Sequence, residues 1–128
     1  MTDASQTARE RIVITGGSGL IGTRLCRLLE DDYELISLDI DPPGDPNLSV
    51  HHIDTDLTDD ASVRAALSQL KQQVGSRLAS VIHLAAYYDF SGEPSPLYEQ
   101  LTVDGTRRLL EGLQKNSFDV EQFVFSSS

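Results

Sequence analysis

Residues 11–22 read Arg-Ile-Val-Ile-Thr-Gly-Gly-Ser-Gly-Leu-Ile-Gly. A short β-branched run ends in a glycine cluster, after which Leu20, Ile21, Leu25, Leu28 and Leu29 recur at helical spacing. The stretch therefore reads as strand, tight turn and helix. The glycines fit G-x-G-x-x-G through Gly17, Gly19 and Gly22, and a wider G-x-x-G-x-x-G through Gly16, Gly19 and Gly22. Neither spacing alone distinguishes a ligand site from a plain glycine turn. The flanking strand and helix do favour one, because the pattern needs glycine for the sharp turn, for close backbone approach to a pyrophosphate, and for helix–strand packing. Gly16, Gly17, Ser18, Gly19, Leu20, Ile21 and Gly22 are thus candidate dinucleotide contacts. No Gly-Lys-Ser/Thr follows the glycines, which excludes a P-loop.

Outward from this turn the pattern repeats. Tyr33–Asp39 reads as a second strand, and the prolines of residues 41–46 (Asp-Pro-Pro-Gly-Asp-Pro) make a loop. Leu48–Ile53 gives a third strand. Thr58 or Asp59 is placed to cap a helix with apolar positions Val63, Ala66, Leu67, Leu70 and Val74, and Gly75 to end it. The nearly continuous apolar run Ala79–Ala86 suits a central strand covered on both faces. Leu97, Leu101, Gly105, Leu109 and Leu113 step by four along a long helix, and Val120–Phe125 returns as a fifth strand. Alternating strands and helices joined by right-handed crossovers make a doubly wound parallel α/β sheet of the Rossmann type, with expected strand order 3-2-1-4-5 and helices on both faces. Residues 1–10 read as a loose tail and residues 11–128 as one domain.

Asp39 ends strand two about 20 residues after the glycines, where a carboxylate accepts from adenosine ribose hydroxyls and repels a 2′-phosphate. The expected cofactor is therefore NAD in preference to NADP, with Ile40 beside it. Asp41 is a weaker candidate, and a strand-ending turn acid is the bland alternative for Asp39.

Twenty acidic against ten basic residues give a formal charge of −10, which opposes nucleic acid and anionic lipid. The same charge opposes a dinucleotide at long range, so a site must rely on local N–H groups and a helix dipole. No apolar run reaches the 18 or so residues of a membrane span, so a cytoplasmic protein without membrane or nucleic-acid partners is expected. Cys26 is the only cysteine, which removes intramolecular disulfides and cysteine metal clusters; among leucines it reads as an inert buried thiol. His51 and His52 lack an accompanying ligand pattern for metal.

Together, Thr15–Gly22, Asp56-Leu57-Thr58-Asp59, His83-Leu84-Ala85-Ala86, Val103-Asp104-Gly105-Thr106 and Phe123-Val124-Phe125-Ser126-Ser127-Ser128 resemble the extended short-chain dehydrogenase/reductase family of NAD-dependent epimerases, dehydratases and dehydrogenases. The resemblance covers Arg11 to Ser128. It implies that Asp56 meets the adenine amino group and Leu57 its ring, and that Leu84, Ala85 and Ala86 line the pyrophosphate and nicotinamide ribose. Thr102 stands where many members carry Asn. Ser126 and Ser127 would lie near the nicotinamide ribose, and Ser128 would bind the reacting substrate oxygen as the catalytic hydroxyl. His83 reads as a satisfied structural histidine turned away from its ligand-facing neighbours. Tyr87 and Tyr88 fall at the carboxyl edge of the sheet, as substrate contacts or as loop packing.

The resemblance further implies hydride transfer at a carbinol carbon of a sugar-like or sterol-like alcohol or nucleotide-sugar, and a homodimer through the second and third helices. The family's Tyr-x-x-x-Lys is absent: the only lysines are Lys71 and Lys115, and neither follows a tyrosine by four. The chain is accordingly expected to be the cofactor-binding part of such an enzyme, incomplete relative to the family and inactive alone. A non-catalytic dinucleotide-sensing or scaffold module is the alternative.

Overall fold

The computed structural model describes residues 9–85, 96 and 98–125. β1 (Arg11–Thr15) leads into α1 (Leu20–Leu29), β2 (Glu34–Asp39) and β3 (Val50–Asp54). After these come α2 (Asp60–Val74), the two-residue β4 (Arg77–Leu78) and β5 (Ser80–His83). A π-helical segment (Tyr98–Val103) opens α3 (Asp104–Lys115), and β6 (Asp119–Val120) and β7 (Phe123–Phe125) end the described chain. The main sheet has the order β3-β2-β1-β5-β7, every pair parallel, so the expected 3-2-1-4-5 arrangement is the one observed.

Alternation along β1 divides the core. Ile12 and Ile14 pack with Cys26 and Leu35 beneath α1, while Val13 faces the opposite layer with Ile36, Leu67, Leu70 and Leu109 beneath α2 and α3. Burial raises the pKa of the Cys26 thiol, with the charge of Glu30 adding to the effect, in keeping with an inert thiol. Asp59, not Thr58, caps α2 by accepting from Ala61 N at 3.1 Å. Gly75, at φ +82°, closes the same helix. Among the described residues no helix is long and apolar enough to cross a membrane.

Three local departures matter. The fourth expected strand, Ala79–Ala86, ends at His83: Leu84 N still donates to the Thr15 carbonyl at 3.0 Å, but Ala85 N turns to the Thr15 hydroxyl at 3.1 Å. The fifth expected strand splits: Asp119–Val120 pairs with β4 in a separate small ladder, and only Phe123–Phe125 joins the main sheet. The long helix begins as a π-helical turn, whose extra residue per turn a four-residue apolar step does not reveal. Of the expected tail, residues 1–8 lie outside the described residues, while Glu10 O accepts from Glu34 N at 3.0 Å.

Candidate functional site

The carboxyl ends of β1, β2 and β5 converge on a cleft of about 270 Å³. Gly16, Ser18 and Gly19 form its floor, Leu38, Asp39 and Ile40 one lip. Leu84 and Ala85 come from the end of β5, and Thr55, Leu57 and Leu101 complete the wall. In open parallel sheets this edge, where neighbouring connections run to opposite faces, is where ligands bind.

The glycine turn is held from several sides. Gly16 has φ +74°, and a Cβ there would lie 2.8 Å from Ala85 N and from the Leu84 carbonyl carbon. Any side chain would push the turn off the Leu84–Ala85 loop. A Cβ on Gly22 would meet Gly16 O at 2.4 Å and Gly17 Cα at 2.6 Å, so Gly22 lets α1 sit against the turn. Gly19 differs, since its Cβ would meet only Gly16 O, at an ordinary 3.5 Å. It is the N-cap of α1 and makes no side-chain capping bond, and the first N–H groups of a helix have no acceptor within it. Together with the dipole, those groups supply local positive potential in a chain of net negative charge.

The Asp39 carboxylate reaches back to this turn. Oδ2 accepts from Ser18 N at 3.1 Å and from Ser18 Oγ at 2.8 Å, and Oδ1 accepts from Ile40 N at 2.7 Å. Asp39 thus braces the turn and retains acceptor capacity mainly on Oδ1.

Several residues singled out from sequence stand elsewhere. Leu20 and Ile21 are 82% and 70% exposed on α1 and do not line the cleft. Helix periodicity, which places Cys26 in the core, turns them outward. Gly17 packs toward Ser37 and Ile14, beneath the cleft floor. Asp56 is no part of the wall, which takes its neighbours Thr55 and Leu57 instead. Its Oδ1 accepts from Thr58 Oγ1 and Thr58 N at 2.6 and 2.9 Å. Those bonds, with the Arg108 charge, hold its carboxyl below the usual range against the opposing effect of burial. Thr102 likewise stands beside the wall, and its carbonyl accepts from Thr106 Oγ1 at 2.6 Å. Ala86, Tyr87, Tyr88, Ser126, Ser127 and Ser128 lie outside the described residues.

Leu38, Thr55 and Leu101 line the cleft without having been singled out. Thr55 follows β3 as Asp39 ends β2, a position that could have marked it; Leu101 depends on the π-helical turn, which leaves no sequence signal.

His83 is 4% exposed, with Nδ1 2.6 Å from Thr15 Oγ1 and Nε2 2.7 Å from Thr106 Oγ1. Burial lowers its pKa. His52 pairs instead with Asp54, at 2.7 Å. Among the described residues no group of His, Cys, Asp and Glu is arranged to hold a metal ion.

A family model described as "NAD dependent epimerase/dehydratase family" matches residues 12–128. The chain belongs to this family. It is similar to the Escherichia coli O157:H7 N-acetyl-alpha-D-glucosaminyl-diphospho-ditrans,octacis-undecaprenol 4-epimerase, at 29% identity over 93% of this chain and 32% of the relative. It is also similar to the Xenopus laevis short-chain dehydrogenase/reductase family 42E member 1, at 32% identity over 98% of this chain and 31% of that protein. Among solved structures, a mutant uronate dehydrogenase from Agrobacterium tumefaciens complexed with NAD superposes with a TM-score of 0.70 at 22% identity, over 94% of this chain and 42% of that one. The last likeness shows the fold. The chain spans about a third of the length of the curated relatives it matches.

Proposed function

We propose that this chain binds NAD in the cleft and forms the cofactor-binding part of an enzyme acting on a sugar-like or sterol-like alcohol or a nucleotide-sugar. The observation that carries the reading is the packing of Gly16 on the Ala85 backbone, which leaves a floor of glycine backbone, with the small Ser18 side chain tied to Asp39, at the N-terminus of α1. A pyrophosphate needs such a floor, since only bare backbone approaches its oxygens closely. The fit is also electrostatic, with helix N–H groups beneath and the Asp39 carboxylate at the lip.

In this reading Gly16, Ser18 and Gly19 hold the pyrophosphate, with Gly17 and Gly22 shaping the turn. Asp39 Oδ1 accepts from an adenosine ribose hydroxyl, and Ile40, Thr55 and Leu57 flank the adenine, with Asp56 fixing their loop. Leu84, Ala85 and Ala86 border the nicotinamide ribose, with Thr102, Ser126 and Ser127 as polar neighbours and Ser128 as the hydroxyl for the reacting oxygen. Bound NAD supplies a hydride acceptor and donor. The chain's own part is to bind, to orient and to keep water from the ring. Asp39 makes NAD preferred over NADP.

The relatives reported above bear the names of enzymes, which favours the enzyme over the sensing module. A cytoplasmic location without nucleic-acid partners accords with the charge. Leu110 on α3 is 45% exposed and offers apolar surface for pairing with a second copy; light scattering reads the mass. Titration calorimetry with NAD on the chain tests the central reading: saturable one-to-one binding supports it, and no heat at millimolar NAD overturns it.

A further inference from the structure

His83 does not line the cleft, yet it joins two of its walls. Thr15 Oγ1 accepts from Ala85 N at 3.1 Å and shares the Leu84 N–H, also 3.1 Å away, with the Thr15 carbonyl, which accepts it at 3.0 Å. Its own proton is therefore available to His83 Nδ1, the acceptor 2.6 Å away. The other end argues separately: Thr106 Oγ1 donates to the Thr102 carbonyl at 2.6 Å, so toward His83 Nε2, at 2.7 Å, it acts as acceptor. The Thr106 end thus sets the neutral tautomer, with the proton on Nε2, and the Thr15 end matches it by donating to the bare Nδ1. The resulting chain runs without a break from the Leu84–Ala85 backbone through Thr15, His83 and Thr106 to the π-helical segment that carries Leu101.

We propose that His83, fixed as the Nε2–H tautomer, is a positioning residue that sets the spacing between the Gly16–Ala85 side of the cleft and its Leu101 side. Two threonine hydroxyls alone cannot span this distance, and the imidazole is the one element between them that accepts at one end and donates at the other. A nonpolar ring of the same shape would fill the space and leave Thr15 and Thr106 without their buried partner. The inference rests on the cleft being the NAD site, but its geometry is tested without NAD.

The experiment uses Thr106→Val, which keeps the shape and removes the hydroxyl, and Thr106→Ser, which restores it. In the unsubstituted chain, ¹⁵N correlation spectra of the imidazole should show a protonated Nε2 and a bare Nδ1. In Thr106→Val the Leu84 and Ala85 amides and the Leu101 methyls should shift, although Thr106 lines no part of the cleft. NAD affinity should fall about tenfold, the size of one buried hydrogen bond, and Thr106→Ser should recover it. A proton on Nδ1, or shifts confined to α3, would overturn the proposal, as would unchanged affinity in Thr106→Val. If the unsubstituted chain itself fails to bind NAD, the functional reading falls, and the tautomer and the shifts still decide for or against the positioning role. Should Thr106→Val fail to fold, the imidazole tautomer in the unsubstituted chain decides it.

Discussion

The Ser18 hydroxyl donates to Asp39 Oδ2 at 2.8 Å, and the Ser18 backbone N–H donates to the same oxygen at 3.1 Å. The acid that ends β2 is therefore fastened to the turn that opens α1, and its charge stands at a fixed place on the lip of the cleft. NAD should bind at least several-fold tighter than NADP by titration calorimetry, because a 2′-phosphate would meet that charge. Asp39→Ala should erase the difference and also lower stability by about 1–3 kcal/mol, since Ser18 loses its acceptor. Equal affinities in the unsubstituted chain would remove Asp39 from this role.

Gly19 and Gly22 should respond differently to the same substitution. Gly19→Ala adds a Cβ in ordinary van der Waals contact, so its melting temperature should stay within a few degrees while NAD affinity drops at least tenfold through obstruction of the phosphate. Gly22→Ala forces a Cβ to 2.4 Å from Gly16 O and should cost about 1–3 kcal/mol or more in urea unfolding. The opposite ranking would mean that the floor of the cleft does not face a ligand.

The buried imidazole of His83 gives a pH dependence whose sign is fixed. Its pKa is lowered by burial, so the unfolded chain, with a histidine near 6.5, takes up the proton first on acidification. The His83 contribution to stability is thus full above about pH 6.5 and is lost as pH falls toward the lower folded value. Urea midpoints between pH 8 and 5 should show a decline that is shallower in His83→Gln. Parallel curves would assign the decline to other groups.

The chain as given should not turn over alcohols at an enzymatic rate. No tyrosine is followed by lysine four positions on, and a positioned acid/base group typically contributes about 10²–10⁴-fold. Assays of NAD reduction with sugars, nucleotide-sugars and hydroxysteroids should stay at background. Sustained turnover would point to another base, with Tyr87 and Tyr88 first to be tested.

Strand order was legible in the sequence because each element carried its own periodicity: β-branched runs at Arg11–Thr15 and Ala79–Ala86, four-residue apolar steps in the helices. The glycine turn after β1 and the end of β2 at Asp39 were legible because those positions constrain residue type directly. Leu20 and Ile21 turn their side chains to the exposed side of α1, because the helix rotates each successive residue by about 100°, so a ligand at this turn would meet their backbone N–H groups and not their side chains. Leu101 was missed for a related reason, since a π-helical turn shifts the helix face without altering composition. The Asp39–Ser18 bond and the Thr15–His83–Thr106 chain depend on side-chain geometry that spacing does not encode.

β1 lies at the middle of the sheet, between a neighbour close in sequence and one far from it: Thr15 and His83 are bonded at a separation of 68 residues. During synthesis the β1–α1–β2 unit can close on itself early, and the glycine turn with its Asp39 brace belongs to that unit. The opposite wall waits for β5 and then for α3, because Thr106 must be in place before His83 has both partners. Closing so large a loop is slow compared with local pairing. The proposed cleft is therefore completed late on the ribosome, after its glycine turn has already formed.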